Sequence, residues 1–467
     1  MTLRKSLAAG ALALMLPLSA MAATDFKING FTTIQMGATD TDQTYVATNK
    51  DLGFSEGTLL GLQMRFAPNN QVPISFVTQL LARAQDDWKL NADWAFVNWK
   101  VNDEFNVNVG RIKLPLFIIS EAYDVGLTYP WIRPPEELYG FGNVPLTALT
   151  GMSFDYRKYF DDNWVRAQIY TGRDVLSAPA LGTVIGGDIK TMYGMVLSAG
   201  TENLEVRAGA AELTINMTLR SDILSLPAAK QMQADIGTSV VQATAALTGA
   251  NAVVDGIEAQ INAAGGINNP AAAVYIPAYQ SALTDMQVAG ASLQTAAANA
   301  SAAEAIFAQI PDDGDAKFKS VGARYDNGTL MFITEVGDRT IGGLPFADTL
   351  AGFATFGMHM GKFLPHFTYS AVQAEHSDLS NQSQESYILG MRYDVQPWAA
   401  LKMEYQYTKL GDANLRSAGS PLINPNISAT QYVQSMGLFN VVPDLTTFKA
   451  DVPDKLNKVS LALNIVF

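Results

Sequence analysis

The sequence predicts an all-β protein: a transmembrane antiparallel β-barrel of about 16 strands, with an α-helical hairpin insertion in an extracellular loop. Three observations carry that reading. Runs of about ten residues alternate apolar and polar side chains, the pattern of strands with one face in lipid and one in water. The connections between these runs alternate short and long. The chain opens on an export signal yet holds no run of about 20 apolar residues, so a membrane crossing has to be made by strands.

The export signal occupies residues 1–22. Arg4 and Lys5 supply the positive start, Leu7 to Leu16 the apolar stretch, Pro17 its break, and Ala20-Met21-Ala22 the small residues of a cleavage site. The apolar stretch is too short to span a bilayer comfortably. From residue 23 the alternation begins. Leu60, Leu62, Met64 and Phe66 share one face, with Gly61, Gln63 and Arg65 on the other. Met152, Phe154 and Tyr156 oppose Ser153, Asp155 and Arg157; Leu401, Met403, Tyr405 and Tyr407 oppose Lys402, Glu404, Gln406 and Thr408. Aromatic residues near the run ends (Trp94, Trp99, Tyr156, Trp164, Tyr325, Phe363, Trp398) suit interfacial girdles. A soluble β-sandwich also alternates, but its strands are usually shorter.

The candidate strands before residue 150 are Phe26–Gly37, Thr58–Phe66, Ile74–Arg83, Asn91–Lys100 and Phe105–Ile112. Then come Gly151–Arg157, Trp164–Thr171, Thr191–Ala199 and Leu204–Leu213. The last set is Lys317–Tyr325, Leu330–Gly337, Gly352–Met360, Phe363–Ala374, Ser386–Asp394, Ala399–Thr408 and Leu456–Phe467. The total is even, as a single-chain bacterial barrel requires. Short, turn-rich connections such as Asp326–Thr329 alternate with long ones, among them Ala38–Gly57, Arg173–Lys190, Asp338–Ala351 and Leu410–Lys455. With a periplasmic N-terminus, the short ones are periplasmic and the long ones extracellular. The first part of the barrel is therefore 23–215 and the second 314–467.

The stretch between them, 216–313, is rich in Ala, Gln, Ser and Thr and nearly free of Lys and Arg. Two helices are expected, about Pro227–Asn262 and Ala271–Gln309, joined through Gly265-Gly266-Ile267-Asn268-Asn269-Pro270. A low-complexity loop is the alternative. A lid, a plug, a contact between subunits and a surface epitope are all open as its role.

The connection over residues 113–147 is dense in Pro, aromatics and charge, too long for a turn and too apolar for a linker. It is expected to fold into the barrel as a constriction loop carrying Glu121, Asp124, Glu136 and Glu137, with Arg133 as its cation. Parity places Arg65, Arg83, Arg157, Arg166, Arg207, Arg324, Arg392 and Lys402 on the inward pore wall, because a charge facing lipid at the midplane costs about 2–4 kcal/mol. Loop acids opposite wall arginines would set a transverse field across the pore, or would pin the loop to the wall. The basic excess of the wall leans weakly to anions. Arg111 has outward parity, so either a bulge follows Gly110, the reading favoured because Lys113 and Pro115 come next, or Arg111 sits above the membrane edge.

Composition narrows the rest. The formal net charge of −13 argues against nucleic acid as a partner. There is no Cys, hence no disulfide and no thiolate chemistry. His359, His366 and His376 show no metal-ligand spacing, and no phosphate loop, GxSxG or His-Glu-x-x-His motif is present. No catalytic residue, metal or cofactor is expected, and the protein is read as no enzyme.

Three stretches carry a family resemblance: the terminal VSLALNIVF ending in Phe467, the strand end GRIKLPLF, and the loop TYPWIRPPEELYG. They resemble the Gram-negative outer-membrane porins of the general type. The terminal aromatic is similar to the signal that the barrel-assembly machinery reads in such families. The resemblance implies a homotrimer of sixteen-stranded barrels in the outer membrane, in contact with its lipid, with an inward-folded third loop. It implies passive diffusion of small hydrophilic solutes and ions. The insertion departs from the family pattern, and keeps open a substrate-specific or partly occluded channel, or a surface receptor, with the hairpin as lid or contact element. The few basic residues of the loop speak against a dedicated phosphate porin.

Overall fold

The computed structural model describes residues 25–467 apart from 43, 69–71, 141–146, 181–182, 219–220, 222–223, 225–226, 309–312, 343–347, 376–382, 411–422 and 425–453. The export signal, His376 and most of the last long connection lie outside the described residues. Within them the barrel strands run in chain order. The first nine are β1 (Asp25–Thr39), β2 (Leu59–Ala67), β3 (Ile74–Arg83), β4 (Leu90–Lys100), β5 (Phe105–Lys113), β6 (Ala148–Phe160), β7 (Asn163–Ala180), β8 (Thr183–Gly200) and β9 (Leu204–Met217). The remainder are β10 (Asp313–Asp326), β11 (Leu330–Gly342), β12 (Asp348–Met358), β13 (Phe363–Glu375), β14 (Gln384–Gln396), β15 (Ala399–Leu410) and β16 (Lys455–Val466).

Each strand pairs antiparallel with its chain neighbours, and β1 closes on β16, so the sheet has no open edge. At that seam Phe467 exchanges two backbone hydrogen bonds with Gly30. A Cβ on Gly30 would stand 2.2 Å from the Phe467 ring, so any larger residue there would push that ring aside.

The parity of the side chains follows the sequence. Ile34, Leu60, Phe76, Val109, Leu197, Phe332, Leu389, Met403 and Val459 are all exposed on the outer face. Of the expected girdle residues, Trp99, Tyr325, Phe363 and Trp398 are exposed as well. Trp94 is not: it is registered opposite Gln79 and stacks on Phe96, on the inward face.

Two further expectations are corrected. Arg173–Lys190 is not a long loop: β7 and β8 run on as 18-residue strands paired to Ala180 and Thr183. The β-branched residues Val175, Val184 and Ile185 continue the strand pattern there. Nor does the register shift at Gly110, where both ladders of β5 run through unbroken. The irregularities stand in neighbouring ladders, at Gln79/Leu80 and Gly172/Asp174. Gly110 instead takes φ +137, where a Cβ would stand 2.5 Å from the Ala95 carbonyl. Arg111 reaches the Asp174 carboxylate at 2.9 Å and the Asp93 carbonyl at 3.1 Å.

Between β9 and β10 lie helices α1 (Pro227–Ala263) and α2 (Ile276–Ala308). Gly265 and Gly266, both at φ above +90, end α1. Asn269 then caps a 3-10 turn at Pro270–Ala272. Val254, Ile261, Ala272, Ala282 and Ala303 are buried in the hairpin, and Tyr279 donates to Glu258 across it at 2.6 Å.

Candidate functional site

Between β5 and β6, residues 114–140 enter the barrel and pack against its inner wall. The first of them, Leu114 and Leu116, join Tyr170, Met192, Val196 and Leu213 of β7–β9 in one apolar cluster. Farther on, Phe117, Ile119, Tyr129, Trp131 and Leu138 pack on Met331, Ile333, Phe353, Leu364 and Val372 of β11–β13. Trp131 meets Phe353 edge-on, with centroids 5.4 Å apart, and donates from its indole N–H to Thr355 (3.0 Å) and Thr368 (2.9 Å). Apolar side chains on the inward face of a barrel are otherwise out of place; here they meet the loop, not water.

Polar contacts fasten the loop along the same wall. Lys402, 1% exposed, donates to the carbonyls of Gly126, Tyr129 and Trp131, with Tyr129's ring 4.8 Å away. Arg392 donates to the carbonyls of Leu127 (2.8 Å) and Tyr129 (3.1 Å) and pairs with Asp394. Arg207, also buried, donates to the Pro115 carbonyl. Glu404 accepts from the Ile132 N–H (2.8 Å), and Glu335 from Ile118 N–H and Tyr139 O–H (both 3.0 Å).

The loop's charged residues meet partners directly. Glu121 pairs with Arg166 at 3.0 Å, and the same guanidinium binds Asp155. Asp124 pairs with Arg83 at 2.7 Å and Lys113 at 2.9 Å. Burial pushes the Asp124 carboxyl up, but Lys113 and Arg83 overcome this and hold it well below the usual carboxylate range. Glu137 is buried among hydroxyls and an amide, accepting from Ser370 (2.7 Å), Gln384 (2.6 Å) and Ser386. Arg133 stays within the loop, donating to the Tyr123 hydroxyl (2.7 Å) and lying 3.4 Å from Glu136. Burial raises the Glu136 carboxyl, and Arg133 offsets this only in part.

The remaining wall cations stand apart from the loop. Arg157 lies over the Trp164 ring at 5.7 Å, Arg324 is half-buried opposite Glu205, and Arg65 is exposed. The inner wall is accordingly two-sided. Under the loop, Thr355, Thr368, Ser370, Ser386 and Lys402 are all but inaccessible. On the stretch of wall formed by β2 and β4–β6, Gln63, Asn98, Asn108 and Ser153 are half-buried.

Several residues of the arrangement escaped the reading of the sequence. Lys113 bridges Asp93 and Asp124, both at 2.9 Å. Its place at the head of the loop, in GRIKLPLF, was the available signal. Glu56 of the first long connection accepts from Lys458 and Thr48, and Tyr45 is buried against Gln384 and Gln406. Of the histidines, His359 lies 3.1 Å from Asp326 and His366 is buried on β13.

Neither a protein-family model nor a curated protein matches this chain. Solved structures do. The anion-selective porin from Comamonas acidovorans is 10% identical, with 95% of this chain and 100% of that one covered and a TM-score of 0.53. The outer membrane channel DcaP of Acinetobacter baumannii is 9% identical, with 96% and 98% covered and a TM-score of 0.50. At such identities the likeness is one of fold: the closed sixteen-stranded barrel is the fold of Gram-negative outer-membrane porins.

Proposed function

We propose that this protein is an outer-membrane porin. It forms a water-filled channel for passive diffusion of small hydrophilic solutes and ions, with a weak lean to anions. The observation that carries the proposal is the two-sided lumen. A long loop enters a closed barrel and is fastened to its wall from Arg83 of β3 and Arg166 of β7 round to Lys402 of β15. Half-buried polar side chains line the stretch formed by β2 and β4–β6. Such an arrangement narrows a pore while leaving a hydrated path beside the loop. No step of this function calls for a catalytic residue, metal or cofactor.

In this reading residues 1–22 direct export and are removed, the short connections are periplasmic, and the loop and hairpin lie on the extracellular side. Assembly as a homotrimer, insertion by the barrel-assembly machinery through Phe467, and contact with outer-membrane lipid belong to the same proposal. The basic excess of wall cations supports the anion lean. Purified mature protein in planar bilayers should give stable stepwise conductance in potassium chloride, with a reversal potential in a salt gradient displaced toward the anion. Membranes that stay silent at every voltage would refute the channel; a reversal potential on the cation side would refute the lean.

A further inference from the structure

The first long connection, after β1, does not stand free above the rim. Its Tyr45 is fully buried and packs, with Val46, on Leu410 of β15 and Leu456 of β16. Leu410 is registered opposite Gln384 and Leu456 opposite Thr408, all four on the inward face. Apolar side chains at those positions would meet water; here they meet Tyr45. The Tyr45 hydroxyl accepts from the side-chain amides of Gln384 and Gln406, each at 3.2 Å. Thr44 and Tyr45 also pair with Asn424 and Ile423 of the last long connection.

The turn that presents Tyr45 is strained. Tyr45 and Thr48 exchange two backbone hydrogen bonds, at 2.7 and 3.0 Å, and the residues between them, Val46 and Ala47, stand at φ +47 and +61. A β-branched residue is a genuine outlier in that conformation. Its surroundings have to hold it there, and such strain gathers at functional sites. Farther along the connection, Glu56 accepts from Thr48 and from Lys458 of β16, and both side chains of this ion pair are buried.

The same contacts reach the constriction loop. Gln384 donates from its amide nitrogen to the Tyr45 hydroxyl and to the Glu137 carboxylate (2.6 Å), so one side chain with two N–H groups joins the two loops. Gly57, at φ +66, lies against Arg133: a Cβ there would stand 3.5 Å from that side chain. Burial raises the Glu136 carboxyl, and Glu56 adds to the rise. Glu136 and Glu137 open the short helical turn Glu136–Tyr139, which Arg133 precedes. The first connection therefore touches or acts on that turn through Gln384, Gly57 and Glu56.

We propose that the first long connection is a second constriction element, and that Tyr45 is a positioning residue: it holds the Gln384 amide on Glu137, seats the helical turn of the constriction loop, and so sets the width of the pore. The effect on pore width rests on the porin reading; the seating of the turn does not. The test uses the purified mature protein, with hydrogen exchange read by mass spectrometry and polymer exclusion read in planar bilayers.

Peptides spanning 131–140 should exchange at least about tenfold faster in Tyr45→Ala than in wild type, while peptides from β8–β10 keep their rates. Tyr45→Phe keeps the ring on Leu410 and Leu456 and should show an intermediate increase. Gln384→Ala should speed the same peptides, and Tyr45→Ala with Gln384→Ala together should not exceed the larger single effect, since both act through one contact. In bilayers Tyr45→Ala should admit polyethylene glycols above the wild-type cut-off, and Tyr45→Phe fewer of them. Lys50→Ala, at an exposed position of the same connection, should change neither readout. Wild-type exchange over 131–140 in both Tyr45 variants, or an equal increase in every strand, overturns the positioning role. Additive increases overturn the path through Gln384. A loosened turn with an unchanged polymer cut-off overturns the second constriction element. If heat-modifiable gel mobility shows that Tyr45→Ala does not fold, Tyr45→Phe and Gln384→Ala decide by the same criteria. Silent wild-type membranes overturn the channel, and the exchange rates then decide the seating alone.

Discussion

Two long segments leave the barrel at the same end, after β5 and after β9, and they fold by opposite rules. Residues 114–140 build most of their core with the wall. Their Trp, Tyr, Leu and Ile side chains pack on the wall, and their backbone is held by wall lysine, arginine and glutamate. The hairpin of α1 and α2 buries Val254, Ile261 and Ala282 within itself and closes with its own turn chemistry. The difference is one of composition. A segment rich in aromatics and charge cannot satisfy itself and borrows the wall. A segment rich in alanine satisfies its backbone by helix and its few apolar residues by pairing two helices. The first is thereby placed to shape a pore; the second is a module added to a rim.

This contrast can be broken by experiment. The largest effect is expected from Lys402→Met. It leaves the Gly126 and Trp131 carbonyls without their ammonium donor, at roughly 1–3 kcal/mol for each buried group. The variant should show a lower thermal midpoint and noisy, larger conductance steps. Wild-type steps and midpoint in Lys402→Met would mean that the loop is held elsewhere.

Asp124→Asn comes next, since it uncovers Lys113 and Arg83 together. The folded Asp124 is held below its unfolded value of about 3.9. Its stabilisation is thus fully present above that value and fades as pH falls through the folded one. Wild-type current traces should be steady down to about pH 4 and become unsteady below it, whereas Asp124→Asn should be weakened at neutral pH and lack that acid step. An acid step of equal size in both proteins would assign it to another carboxylate.

A smaller loss, about 1 kcal/mol, is expected for Trp131→Phe, which keeps the ring against Phe353 but removes the N–H that two threonines accept. Thermal unfolding would read it. Smallest of all should be replacement of residues 218–312 by a short Gly/Ser linker. The helical signal in circular dichroism should fall, while barrel midpoint and conductance stay within about 0.5 kcal/mol and within measurement scatter. A several-fold rise in conductance would instead make the hairpin a lid.

Much of the barrel was legible because strand parity is a local property. Whether Leu60 or Gln63 faces lipid depends on its neighbours two residues away, and the count of such runs settles the closure. The hairpin was legible for the same reason, its helices and glycine stop being written in adjacent residues. The 18-residue β7 and β8 were misread because Gly172 and the glycines at 182, 186 and 187 look like loop chemistry, while the pairing of the two strands across them is not local.

The sequence by itself determined the number of strands, the inward side of each, and the presence of one loop unable to satisfy its own side chains. Only the tertiary structure decided which partner each carboxylate meets. Ile132 and Glu404 are 272 positions apart, Glu137 and Ser386 249, Glu121 and Arg166 45. Those pairings follow from the path of the loop across a closed wall. It is that path which sets Glu121 on Arg166 and Asp124 between Arg83 and Lys113.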